Sequence, residues 1–194
     1  MIQGLLDLAS AFGLSTSAGL NAYIPMLTVA LLAKFTHLID LGEPWDALTN
    51  WWVIALLGLL LIVEEVADKI PVVDTINDVV QTLVRPTAGA VLFAATTQSS
   101  INMHPVLAFA CGIILSGTVH VAKSGSRPAI AAASGGLATP VVSTVEDLVV
   151  VVVSFLSIIF PYLVVAWLLL LCAAIFLAIR WRHNRRAKRL GQMG

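Results

Sequence analysis

The sequence predicts an all-α protein, a polytopic bundle of about six transmembrane helices. Three observations lead there. The 194 residues are 59% hydrophobic and only 11% charged, whereas a soluble domain carries about a quarter charged residues. Apolar runs approaching the ~20 residues that cross a bilayer recur along the chain. Basic residues fall almost entirely on one side of those runs.

The runs, in order, are Ser15–Ala33, Trp51–Ala67, Pro86–Ile101, Pro105–Val121, Val141–Phe160 and Tyr162–Arg180. The last two form one apolar stretch, longer than a ~30 Å hydrocarbon core can hold as a single helix. Phe160-Pro161-Tyr162 marks the turn between them, because proline breaks the hydrogen-bond ladder and aromatics favour the interface. Seven spans, with Ile2–Phe12 as a half-helix, is the alternative count. Met1–Ser10 lacks a basic start and contains Asp7, so the first helix is expected to stay in the mature protein.

Orientation follows from the bases. With six spans, Lys69, Arg85, Lys123, Arg127 and the cluster Arg180–Arg189 share a side, while Lys34 alone faces Asp40, Glu43 and Asp46 on the other. The positive-inside rule then places the tail in the cytoplasm. Residues 1–180 read as one transmembrane domain and 181–194 as a basic cytoplasmic tail, which anchors the topology and suits anionic lipids. Nucleic-acid binding is not expected of so short a tethered patch. Cys111 and Cys172 lie in apolar runs and read as buried hydrophobes. No cofactor motif is present in the sequence.

The chain also reads as three hairpins. Ser17-Ala18-Gly19 opens the first and Thr87-Ala88-Gly89 the second, while Gly58 and Gly112 each precede a lysine by eleven residues. Duplication of a hairpin or an inverted repeat of three spans both fit. Lys69–Arg85 has apolar residues at helical spacing and a polar face, with Asp74 as an N-cap candidate, and reads as an interfacial helix. Ser124–Pro140, rich in small residues and glycine, reads either as a re-entrant half-helix or as a loop.

Acids within the spans carry the most information. Glu64, Glu65 and Asp68 end the second span, and Glu146 and Asp147 lie early in the fifth. A charge at the centre of a membrane helix costs about 2.5–3.5 kcal/mol on insertion scales, so such residues require a reason. Glu64 and Asp68 share one stripe, Glu65 is spaced to meet Lys69, and Gly112, Ser116 and His120 line a face one turn before Lys123. With Asn21 early in the first span and Arg85 and Arg127 nearby, these faces predict a polar cup open to the cytoplasm. Such a cup suits protons or hard cations; His120 would extend it to transition metals, and the bases to an anionic lipid phosphate.

The segments Ser17-Ala18-Gly19-Leu20-Asn21-Ala22-Tyr23-Ile24-Pro25, Glu64–Pro71 and Arg85-Pro86-Thr87-Ala88-Gly89-Ala90 resemble a family of bacterial integral membrane proteins catalogued only as a domain of unknown function. The resemblance implies a bacterial inner-membrane protein and supplies no activity. Transport of a small ion or small polar solute is the expected function, with a lipid-handling enzyme or a non-catalytic scaffold as alternatives. A homo-oligomer is the expected partner arrangement. No His-Glu-x-x-His, Gly-x-Ser-x-Gly or P-loop motif occurs.

Overall fold

The computed structural model describes residues 2–68, 71–101, 103–135 and 137–166. Among them the chain is helical with no strand. The helices are α1 (Ile2–Ala18), α2 (Tyr23–Phe35), α3 (Trp51–Ala67), α4 (Pro71–Ile101), α5 (Pro105–Ser134) and α6 (Thr139–Ile159), with a 3-10 turn at Trp45–Thr49. Among the described residues three stretches are long and apolar enough to cross a membrane: Val79–Gln98 of α4, α5 and α6. α4 and α5 share the most extensive interface, and α1 packs against both and against α6.

Several boundaries agree with the sequence. α3 starts at Trp51 because the Asn50 side chain accepts from the Trp52 N–H, an N-cap. α6 ends before Phe160, and helical conformation resumes at Pro161, as the Phe-Pro-Tyr turn requires. The run Tyr162–Arg180 lies outside the described residues beyond 166, as do Lys69, Cys172 and the basic tail.

Three expectations are corrected. The first run is two helices, not one, broken at residues 19–22. Asn21 Oδ1 accepts from the N–H groups of Tyr23 and Ile24, at 3.0 and 3.2 Å, and so serves the first turn of α2. The segment before Arg85 is no separate interfacial helix, and Asp74 lies inside α4 rather than capping it, since α4 runs unbroken from Pro71 through Pro86. Proline removes one ladder bond, a loss a packed bundle tolerates. Ser124–Pro140 is neither a separate half-helix nor a loop over most of its length. Ser124 and Ser126 bond back to the carbonyls of His120 and Lys123 within α5, which continues through Pro128 to Ser134.

The core seam lies between α4 and α5. A Cβ on Gly112 would stand 2.3 Å from the Gly89 carbonyl oxygen and 2.6 Å from the Ala90 Cα. Only glycine lets the two backbones approach this closely. Both glycines from the paired sequence motifs close on one residue of α5. A Cβ on Gly89 would meet Ser116 Oγ at 2.3 Å, and one on Gly19 would meet the Ser116 carbonyl at 2.4 Å. The two motifs sit differently in their helices, Gly19 just past the end of α1 and Gly89 inside α4. Gly58, paired with Gly112 by spacing, has no neighbour among the described residues within 4 Å of a Cβ.

Candidate functional site

One helical turn below that seam the same helices carry charge. Arg85 of α4 is fully buried and donates from Nη2 to Glu64 Oε1 of α3 at 2.9 Å. Its Nη1 lies 3.2 Å from Nδ1 of His120 on α5. A guanidinium can only donate, so Nδ1 accepts and the proton of a neutral ring sits on Nε2, directed at Thr82 Oγ1 3.1 Å away. Both ring nitrogens are therefore engaged, which removes His120 from the transition-metal option. Among the described residues no group of three or more His, Cys, Asp and Glu is placed to hold a metal ion.

A second knot forms around Asp68, just past the end of α3. Its carboxylate accepts from Arg127 Nη2 at 3.0 Å, Ser143 Oγ at 3.0 Å and Asn77 Nδ2 at 3.1 Å. Burial pushes this carboxyl up, but Arg127 and Lys123 outweigh it, with the hydrogen bonds from Arg127 and Ser143 adding, and hold it below the ordinary value.

A third knot ties the broken helix to α5 and α6. Lys123 Nζ donates to the Leu20 carbonyl at 2.8 Å and lies 3.0 Å from Glu146 Oε2. The Lys123–Glu146 pair is close without hydrogen-bond alignment, since that oxygen has no hydrogen-bond partner among the described residues; the short distance identifies it as an ion pair all the same. Asn21 Nδ2 donates to Asp147 Oδ1 at 3.0 Å, and Asp147 also shares a hydrogen bond with Glu65. The irregular backbone at residues 19–22 thus finds its partners in site residues, a condition for such backbone inside an apolar bundle.

The structure therefore brings together Asn21, Glu64, Glu65, Asp68, Arg85, His120, Lys123, Arg127, Glu146 and Asp147. Lys69 lies outside the described residues, and with it the expected Glu65–Lys69 pair; Glu65 is hydrogen-bonded to Asp147. The inner part of the set is closed, with Glu64, His120 and Lys123 2%, 3% and 4% exposed, while Glu65, Glu146 and Asp147 are half-buried. Gly112 and Ser116, expected to line the same face, belong to the packed seam.

Residues 8–181 match the family described as a domain of unknown function, DUF4126. The chain belongs to this family. No curated protein and no solved structure matches it. Every site residue from Asn21 to Asp147 falls within the DUF4126 match.

The sequence reading missed four members of this DUF4126 site: Tyr23, Asn77, Gln81 and Thr82. Gln81 is 1% exposed and hydrogen-bonds Tyr23. The signal was present as Asn77, Gln81 and Arg85, spaced by four along α4. A polar stripe looks alike whether it faces water or a buried ion pair, and only the continuity of α4 turns it inward. Glu64 Oε2, Gln81 Oε1 and Arg85 Nε are buried with no hydrogen-bond partner among the described residues.

Proposed function

We propose that this protein is a multi-pass transport protein of the bacterial inner membrane, moving a small ion or small polar solute through the charged site. The basic tail would lie in the cytoplasm, on anionic lipid, with the protein working as a homo-oligomer. The single observation that carries this reading is the convergence of five acids, three bases and a histidine from four chain segments, α3 to α6, inside an apolar bundle. Buried ion pairs of this kind are costly to desolvate and often no better for stability than an apolar replacement. In a bundle of apolar helices they are by default a functional site. The broken α1–α2 element, whose freed backbone is held by Asn21 and Lys123, adds to the case because discontinuous helices recur where transporters bind their cargo.

One observation favours a scaffold as the second reading. Glu64, Asp68 and Glu146 each meet a base, which is also how a static network would be built.

The experiment is flux of protons and a panel of cations into proteoliposomes, wild type against Asp147→Asn. Gradient-driven flux that the substitution abolishes is the expected result. No flux from wild type under any gradient, with insertion confirmed, would move the assignment to the scaffold.

A further inference from the structure

α5 and α6 touch over only a short stretch, and between them lies a small cavity. Arg127 and Ile130 of α5 line it, with Thr139, Val142, Ser143 and Glu146 of α6. Positions 139, 143 and 146 share one face of α6 at helical spacing, and Arg127 and Ile130 are neighbours one turn apart on α5. The centre of a water molecule has about 10 Å³ of this space open to it, which is room for one.

One atom of the wall points to an occupant. Glu146 Oε2 is buried with no hydrogen-bond partner among the described residues, and Lys123 Nζ, 3.0 Å away, lies off the line of a hydrogen bond. In proteins such an oxygen is rarely left without a donor, and ordered water often supplies one. The other polar groups define what that donor must be. Ser143 Oγ gives its own proton to Asp68 Oδ2 at 3.0 Å, so it meets any further partner as an acceptor. Arg127 reaches the same Asp68 oxygen at 3.0 Å and, as a guanidinium, only donates. The Thr139 hydroxyl can do either. An occupant therefore donates to Glu146 Oε2 and Ser143 Oγ and accepts from Arg127 or Thr139.

We propose that this cavity binds one water molecule, which gives the Lys123–Glu146 and Arg127–Asp68 pairs a shared hydrogen-bonded partner at the α5–α6 junction. Two donors and an acceptor in a space of this size match water, and about three hydrogen bonds are usual for a buried one. A calcium or magnesium ion takes six or more oxygens, whereas the wall offers the side-chain oxygens of Thr139, Ser143 and Glu146. Ammonium only donates and would meet Arg127 with a positive charge. The water is independent of the transport reading, since a static scaffold would be held by it as well.

The test is a map of the full chain at a resolution that shows ordered water, joined to water-to-methyl magnetisation transfer in nanodiscs. A single peak about 2.7–3.0 Å from both Glu146 Oε2 and Ser143 Oγ is expected. Transfer from water to the Val142 methyls is expected as well, with none to Val150, fully buried on the same helix. Glu146→Met keeps the length of the side chain without its acceptor and should lose both the peak and the transfer. Thr139→Ser keeps the hydroxyl and should retain both. If Glu146→Met fails to fold, Thr139→Leu fills the cavity with every charge in place and should also lose both. No peak in wild type, in a map that resolves other internal waters, overturns the proposal. A peak nearer than about 2.6 Å to several oxygens at once is a metal ion and overturns it too. Transfer to Val142 that survives Glu146→Met or Thr139→Leu in folded protein comes from bulk water and has the same force.

Discussion

The α4–α5 interface changes character within one to two helical turns. At Gly89 and Gly112 it is a backbone-to-backbone crossing with no room for a methyl group. Four residues from Gly89 and eight from Gly112 stand Arg85 and His120, joined to each other and through Arg85 to Glu64. The first region holds the fold by close backbone approach, where dispersion contacts are many and no charge is desolvated. The second loses solvation for several charges and leaves polar atoms of Glu64, Gln81 and Arg85 without partners. A stability account covers the crossing completely and the charged region poorly, and that contrast is the reason to look for function in the latter.

The comparison can be broken most forcefully at Glu64. Glu64→Leu leaves Arg85 buried and uncompensated, and should cost about 3–5 kcal/mol, seen as loss of folded protein in detergent thermal melts. Adding Arg85→Leu should restore most of that stability, since an apolar pair of similar volume is often neutral or better. If the double variant stays as unstable as the single one, the ion pair is structural and the contrast fails. Next in size, Gly112→Ala drives a methyl group into α4 backbone and should cost about 1–3 kcal/mol by overpacking. Smaller again, Ser15→Ala removes the 2.9 Å bond from Ser15 Oγ to the Gly89 carbonyl, at about 0.5–1.5 kcal/mol in the same melts.

Acid sharpens the contrast further. The Asp68 carboxyl is held below its ordinary 3.8, so its contribution is fully present above that value and is lost as pH falls through the lowered one. The difference in melting temperature between wild type and Asp68→Asn should therefore stay constant from neutral pH to about 4 and close only in stronger acid. A gap that closed nearer neutrality would mean that Arg127 does not hold Asp68 ionised.

Much of this was legible in the sequence, for identifiable reasons. Acids in apolar runs have few alternatives to meeting bases, so Glu64, Asp68, Glu146, Arg85, Lys123 and Arg127 can be gathered from their positions in the chain. Trp51 and Phe160 mark helix ends because Asn50 caps and Pro161 breaks. The break at residues 19–22 was hidden, because Gly19-Leu20-Asn21-Ala22 interrupts no hydropathy and depends on Lys123 and Asn21 to satisfy the backbone. Pro86 and Pro128 were misleading, since prolines that end an isolated helix are tolerated where neighbours pack around them. The role of Trp45, unread in the outer connection, emerged from tertiary contacts: its indole N–H donates to Gln98 and its ring packs on Phe109.

The central claim is that the charged region works rather than merely holds. The most direct measurement is gradient-driven flux through Asp147→Asn in proteoliposomes, normalised to folded protein by a thermal melt of the same preparation. Among the described residues Asp147 meets Asn21 and Glu65 but no base in an ion pair, and asparagine keeps an oxygen that can accept from Asn21, so its neutral isostere should leave the melt close to wild type. The account predicts an unchanged melt and abolished flux. An unchanged melt with wild-type flux would contradict it.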